Sequence, residues 1–375
     1  MSKEPLYLDY NATAPMRPEA LEAFRHAVEQ TGNASSVHTF GRAARKLVED
    51  ARRQIARCIA ADPTQVIFVS CGTEANATAL GSVINEQEAE KLLVSSVEHP
   101  SVLQAFPEKM QTFPVDSNGH VSPTTVRQYL EDAPKGTRVS VMLANNETGT
   151  LQPIPEIADE VHAKGGLLHC DAVQALGKIP LSFNELEADM ISLSAHKLGG
   201  PQGVGALVLR KGLHLEACLR GGGQEGRRRA GTENVAGIAA FAAAVEAATE
   251  ELSRFQSLES AHREMEETLK GTAPETIVFG ADSPRLPNTT CIAMPGVSAE
   301  LQLMALDLEG IAVSSGSACS SGKVEPSHVL TAMGVDETLA ANALRVSSGW
   351  ASKPSDLERF SQAWLAVYQR QQRAA

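Results

Sequence analysis

Apolar and polar positions fall in alternating blocks along the first two-thirds of the chain. Gln65-Val66-Ile67-Phe68-Val69-Ser70 is a short apolar run that reads as a buried strand, and Thr73 to Ile84 follows with helical character. Further strands are predicted at Lys91–Ser95, Arg138–Leu143, Leu167–Cys170, Asp189–Ser194 and Gly205–Leu209, with a helix over Ile157–Lys164. Short apolar strands separated by helices imply a mainly parallel sheet covered on both faces.

The pattern then changes. A long helical stretch runs from Val235 to about Leu269 with one break, after which Pro284, Pro287, Pro295 and Gly296 punctuate the chain. A strand (Thr289–Ala293), a helix (Ala299–Leu308), a Ser/Gly loop (Ser314–Gly322) and a last helix (Ser355–Arg370) are predicted here. The expected architecture is an α/β domain followed by a smaller α+β domain, with no internal repeat.

Composition narrows the function classes. The 375 residues suit two or three domains, and 43% hydrophobic residues exclude a disordered chain. The formal net charge of −12 counts against a broad nucleic-acid surface, leaving only the local cluster Arg227-Arg228-Arg229. The longest uncharged apolar run, Val235–Val245, is about half of the roughly 20 residues a membrane span needs. The N-terminus carries no apolar signal core, so a cytoplasmic protein with neither membrane nor nucleic-acid partner is expected. None of the six cysteines forms a CxxC pair, which removes the zinc-finger and thioredoxin-like readings.

The unusual polar residues cluster at predicted strand ends, where open α/β sheets bind ligands. Cys71-Gly72-Thr73-Glu74 joins a strand to a helix: either Thr73 caps the helix, or the turn receives an anion at the helix N-terminus. Asp171 ends another strand and could be a cap, a metal ligand or the partner of a cationic ring. No ligand set at metal spacing accompanies it. A third strand ends in Ser194-Ala195-His196-Lys197; the lysine is either a surface group in a Gly/Pro loop or a desolvated amine able to form a Schiff base. One lysine nucleophile, one buried aspartate and several phosphate-type donors together describe a pyridoxal-phosphate pocket, in which the aspartate keeps the ring an electron sink. The competing P-loop is excluded, because no GxxxxGK[ST] occurs.

The chain also resembles the cysteine desulfurases of the iron–sulfur-cluster and nitrogen-fixation type, within the class V aminotransferases. The resemblance is carried by Tyr7-Leu8-Asp9-Tyr10-Asn11-Ala12-Thr13, Asn33 to His38, Cys71 to Asn76, Glu98-His99-Pro100-Ser101-Val102, Asn145-Asn146-Glu147-Thr148-Gly149, Asp171-Ala172-Val173-Gln174, Ser194 to Lys197, Arg229 to Asn234 and Ser315-Gly316-Ser317-Ala318-Cys319, in family order over nearly the whole chain. It implies a fold type I PLP-dependent transferase: a large PLP-binding domain (14–255) with a mainly parallel seven-stranded sheet, and a small domain formed by 1–13 with 256–375.

The resemblance further implies that L-cysteine is converted to L-alanine, with sulfur carried as a persulfide on Cys319 to a scaffold or other acceptor protein for iron–sulfur cluster assembly. The alternative within the family is a selenocysteine lyase or another class V aminotransferase or lyase. Lys197 would carry pyridoxal 5'-phosphate as a Schiff base, Asp171 would pair with the ring nitrogen and Gln174 with the ring hydroxyl. His99 would stack on the ring and help move protons, and Asn146 would contact its substituents. Gly72, Thr73, Ser194 and His196 would hold the phosphate, and Thr232 would reach the phosphate of the neighbouring subunit in a homodimer. Asn11 and Arg345 would bind the substrate carboxylate. No resident metal is implied; Cys319 would at most ligate a cluster iron transiently. The stretch from Ser314 to Gly322 lacks bulky side chains, which favours an exposed loop where a thiol is accessible. Two features depart from the family: Trp350 stands where an arginine is usual in Ser347-Ser348-Gly349-Trp350, and the chain ends at Ala375 without a long carboxyl tail.

Overall fold

The structure, a computed structural model, describes residues 4–84, 90–316 and 326–374. A short strand β1 (Leu6–Tyr7) precedes the strands of the main sheet: β2 (Val66–Val69), β3 (Leu92–Ser95), β4 (Met110–Phe113), β5 (Arg138–Ser140), β6 (Leu167–Asp171), β7 (Met190–Ser194) and β8 (Gly205–Leu209). Their spatial order is β2-β8-β7-β6-β5-β3-β4. Only β8 runs against its neighbours, pairing antiparallel with β7 and β2, so the sheet is mainly parallel and seven-stranded. Nearly every residue of β2, β3 and β5–β8 is buried, which is why these strands read as unbroken apolar runs instead of alternating ones.

The predicted strand over Arg138–Leu143 is shorter than expected. Regular pairing stops at Ser140, yet Val141 and Leu143 still donate to the carbonyls of His169 and Asp171, so the chain stays extended past the strand end. The predicted long helix is two, Val235–Glu250 and Leu252–Thr272, parted at Glu251. Asn234 caps the first by accepting from the Gly237 N–H (3.0 Å). That helix buries Ile238, Ala240, Phe241, Ala244, Val245 and Ala248 against helices Pro18–Val28 and Thr39–Cys58, completing the main core.

The second half adds β9 (Ile277–Phe279), β10 (Thr289–Ala293), β11 (Ile311–Ala312), β12 (Ser314–Ser315) and β13 (Ala343–Ser347). Four of them form an antiparallel sheet in the order β12-β13-β10-β9, while β11 pairs with β1. A separate core gathers Leu6, Leu8, Met265, Leu269, Ile292, Leu344, Phe360 and Trp364. Ser314 and Ser315, expected in a loop, belong to β12 and pair with Arg345 and Leu344; small residues fit there because β12 lies against β13 and is buried. β13 itself escapes prediction because a charged residue, Arg345, interrupts its apolar run. No helix among the described residues is long and apolar enough to cross a membrane.

Candidate active site

The carboxyl ends of β6 and β7 lie side by side, with Asp171 paired to Ser192. They open into a cleft of about 590 Å³. Asn11, Gly72, Thr73, His99, Asn146, Asp171, Gln174, Ser194, His196, Lys197 and Arg345 all line it. The sheet supplies the floor, the segment after β1 and strand β13 supply a wall, and the helix Gly72–Gly81 points its N-terminus inward.

Lys197 follows β7 through one short turn. Its Nζ donates to the carbonyls of Asn11 (2.6 Å) and Ala12 (2.9 Å). Burial, and then the charge of Arg345, bring its pKa down to about 8 against the pull of Asp9 and Asp171. A free amine is therefore accessible near neutral pH, which a nucleophilic lysine requires. Asp171 is buried and accepts from Asn76 Nδ2 (2.8 Å) and from the Val173 N–H (3.0 Å). These bonds fix the carboxylate at the cleft floor. Gln174 Nε2 donates to the Asn11 carbonyl (3.0 Å), and its Oε1 accepts from Lys178 Nζ (2.6 Å).

On the other side, the helix Gly72–Gly81 starts at Cys71 with no side chain capping it, so Thr73 is not the cap. Ser194 Oγ is buried and has no hydrogen-bond partner among the described residues. A Cβ on Gly72 would come within 3.1 Å of Val173 Cγ2, so only glycine leaves the backbone this open. Uncapped N–H groups, an orphaned hydroxyl and a bare backbone are what a phosphate dianion would satisfy. Beside them His196 bonds Thr13 Oγ1 through Nδ1 (3.2 Å), and burial, then the charge of Lys197, lower its pKa to about 4.

His99 Nδ1 accepts from the Ser101 N–H (3.1 Å). That bond leaves Nε2 as the protonated nitrogen of the neutral ring. Burial lowers its pKa, with Asp171 pulling upward and Lys197 downward. The ring both caps a turn and faces the cleft. Arg345 Nη2 pairs with Asp9 Oδ1 (2.6 Å) and Nη1 donates to the Asn146 carbonyl (3.2 Å), while Nε is buried with no partner among the described residues. Asn11 Nδ2 donates to Thr289 Oγ1 (2.9 Å) and to the Asn146 carbonyl (3.2 Å).

Thr232 lies elsewhere, on a separate cavity with Phe68, Gly203 and Arg229. Cys319 lies outside the described residues. The run Arg227-Arg228-Arg229 is not one solvated patch: Arg229 pairs with Glu74 through two nitrogens (2.8 and 3.2 Å), and Arg228 holds the carbonyls of Thr64 and Glu225. Trp350 donates through Nε1 to the Pro15 carbonyl (2.9 Å) and lies against the Arg17 guanidinium, 5.4 Å from its ring centroid. Arg17 Nε in turn donates to the Leu198 carbonyl (3.0 Å), directly after Lys197. The unusual tryptophan thus closes over the loop that presents the lysine.

Several residues escaped the sequence reading. Asn76 falls one helical turn after Gly72, a spacing that could have placed it on the same face. Glu98 and Glu147 are buried carboxyls; burial pushes Glu98 up to about 8, helped by Asp171, and Glu147 up to about 7. Glu147 accepts from Ser327 Oγ at the edge of the cleft. Lys178 is a lone charge inside Ala175-Leu176-Gly177-Lys178-Ile179-Pro180, and a lysine among apolar residues was the available signal.

Comparison with known proteins places the chain in a family. The family model "Aminotransferase class-V" matches residues 6–360. A cysteine desulfurase of Enterobacter agglomerans is 41% identical over 362 residues, covering 94% of this chain and 90% of that protein. The cysteine desulfurase IscS of Dictyoglomus turgidum is 41% identical over 370 residues, covering 95% and 92%. Among solved structures, a NifS-like protein from Rickettsia africae superposes with a TM-score of 0.89 at 32% identity, covering 98% of this chain and 100% of that one.

Proposed function

The chain belongs to the class-V aminotransferases, among their cysteine desulfurases, and from that premise we propose that it converts L-cysteine to L-alanine and passes the sulfur through Cys319 to an acceptor protein. The observation that carries the reading is that the amine of Lys197 and the carboxylate of Asp171 line the same cleft as Arg345.

The cofactor is pyridoxal 5'-phosphate, which when bound supplies an electron sink for the pair released at the substrate Cα. The residues present fit it: the uncapped helix at Gly72 and Thr73, with the orphaned Ser194 hydroxyl and His196, would take the phosphate. Asp171 would face the ring nitrogen, Gln174 the ring hydroxyl, His99 the ring face and Asn146 its substituents. The chain's own groups do the rest. Lys197, with a pKa near 8, takes and returns a proton at Nζ. Arg345 and Asn11 hold the substrate carboxylate, Arg345 with an Nε donor that no group among the described residues satisfies. His99 exchanges a proton at Nε2.

Sulfur transfer balances without an added oxidant. The Cys319 thiolate attacks the substrate sulfur, the Cβ–S bond breaks, and its electron pair stays on Cβ, which takes a proton to give alanine. The enzyme is left as a persulfide. We place this chemistry in a homodimer in which Thr232 of each subunit completes the phosphate site of the other. We assign residues 14–255 to a large domain and 1–13 with 256–375 to a small one. The acceptor is an iron–sulfur scaffold or a comparable sulfur carrier, in the cytoplasm.

The test adds L-cysteine to the purified holoenzyme together with a dithiol reductant, whose two electrons free the persulfide's outer sulfur as sulfide and restore the Cys319 thiol, and measures alanine, sulfide and visible absorbance together. Alanine and sulfide in equal amounts are expected, and pyruvate in place of alanine overturns the reading. C319A should abolish sulfide release and leave the cofactor absorbance unchanged; turnover that persists removes Cys319 from the reaction.

A further inference from the structure

The function proposed above uses one buried lysine and leaves another without a role. Lys178 is 4% exposed, and among the described residues no carboxylate pairs with it. Both of its hydrogen bonds go to amide oxygens, Asn11 Oδ1 at 2.7 Å and Gln174 Oε1 at 2.6 Å. Burial, followed by the charges of Lys197 and Arg345, pushes its pKa well below that of an ordinary lysine. A neutral amine has two N–H bonds and an ammonium has three, so in either state Lys178 donates to both oxygens.

The two amides are those assigned to the substrate carboxylate and to the ring hydroxyl. A primary amide has an accepting end and a donating end, and its surroundings decide which way each points. As an ammonium Lys178 can only satisfy oxygens, and as a neutral amine it gives both of its N–H bonds to the two oxygens it contacts. With those turned toward it, the NH2 groups point away: Gln174 Nε2 toward the Asn11 carbonyl (3.0 Å), Asn11 Nδ2 toward Thr289 Oγ1 (2.9 Å) and the Asn146 carbonyl (3.2 Å). Asn288 Nδ2 approaches the same Asn11 oxygen at 3.4 Å and reinforces the choice. Gln174 Nε2 keeps a second N–H beyond its bond to Asn11, whereas both N–H bonds of Asn11 Nδ2 are engaged, one of them by the carbonyl of Asn146, which lines the cleft.

We propose that Lys178 is a positioning residue that sets the polarity of Asn11 and Gln174, so that Gln174 has an N–H left for the ring oxygen of the cofactor and Asn11 can give a substrate carboxylate the N–H it otherwise gives the Asn146 carbonyl. It acts through the two amides and touches neither ligand itself. The inference rests on the proposed function, because it needs an anionic substrate carboxylate and a ring oxygen at the cleft.

The test compares K178M, which keeps the length and removes every donor, with K178Q, whose amide keeps two N–H donors without charge. In K178M the affinity of the apoprotein for pyridoxal 5'-phosphate should fall about tenfold and KM for L-cysteine rise about tenfold, with kcat within about threefold, as expected when buried acceptors lose their donors. The absorbance maximum of the bound cofactor should shift as well. K178Q should recover most of the loss in affinity and KM. If K178M only lowers the melting temperature, leaving affinity, KM and absorbance unchanged, the residue is merely structural and the proposal is overturned. It is also overturned if K178Q is as impaired as K178M, because charge would then be what matters. Should K178M fail to fold, K178Q alone decides, with a tenfold loss overturning the proposal and a loss under threefold supporting it. Wild-type protein that binds no cofactor, or gives no alanine, removes the proposed function and this inference with it; active wild type with an unaffected K178M removes the inference alone.

Discussion

The floor of the cleft and its wall are built on different plans. On the floor, at the end of β6, the groups that would face the ring are locked by one another: Asp171 by Asn76 and the Val173 N–H, Gln174 by Lys178. The wall is less complete. Arg345 sits in the middle of an antiparallel strand, held by Asp9 and one carbonyl, with its Nε buried and unsatisfied. A buried donor without a partner is costly, by about 1–3 kcal/mol, and an arriving carboxylate removes that cost. A pre-locked floor suits a group that stays, and an incomplete wall suits one that comes and goes.

The largest effect should come from the floor. Replacing Lys197 by alanine removes the covalent attachment point and the proton carrier together. Alanine formation from L-cysteine should fall at least about 10⁴-fold, and the cofactor should be lost on desalting. Retention of the cofactor through desalting would mean that the floor holds it by polar contacts alone.

A smaller and different loss should follow at the wall. Replacing Arg345 by glutamine keeps a donor but deletes the charge and the fork, and leaves Asp9 without its ion pair. A charge-assisted contact is worth about 1.5–3 kcal/mol, so kcat/KM for L-cysteine should drop roughly 10–100-fold, mainly through KM. Cofactor absorbance should stay as in wild type. A change in the absorbance instead of KM would show that floor and wall are not separable.

The same contrast explains what could be read from the sequence. Asp171 and Lys197 stand out because each ends an apolar run, and in parallel sheets strand ends are where ligands bind. Arg345 has no such context: mid-strand in β13, it breaks the apolar pattern that would have revealed the strand, and only family resemblance singled it out. Lys178, Asn76 and Glu147 stayed hidden for another reason. Their roles depend on partners distant in sequence, such as Ser327 for Glu147 and Asn11 for Lys178, and spacing carries no record of those contacts. Six of the sheet's seven strands were legible because burial on both faces leaves unbroken apolar runs; the edge strand β4, Met110-Gln111-Thr112-Phe113 and half exposed, was not, and β12 is made of serines and looked like a loop.

The smallest effect lies at the seam between floor and wall, where Glu147 accepts from Ser327 Oγ near Arg345. Burial raises its pKa from 4.5 to about 7, with the Ser327 bond and the Arg345 charge opposing. Between those values the folded protein holds a proton that the unfolded chain has released. Stability therefore falls as pH rises from about 4.5 to about 7 and is level above. The span corresponds to at most about 3 kcal/mol for this one group. Glu98 loses stability in the same direction, while the buried His169 and His262, lowered to about 4 and about 3, lose it as pH falls below 6.5. These contributions are common to wild type and variant, so the difference between the two isolates Glu147. E147Q, which keeps an acceptor for Ser327 and does not titrate, should melt close to wild type at pH 5, gain on it up to about pH 7 by a few degrees for a chain of this size, and hold that gain at pH 8. A difference that stays constant from pH 5 to pH 8 would place the carboxylate in contact with water and make the seam as open as the wall.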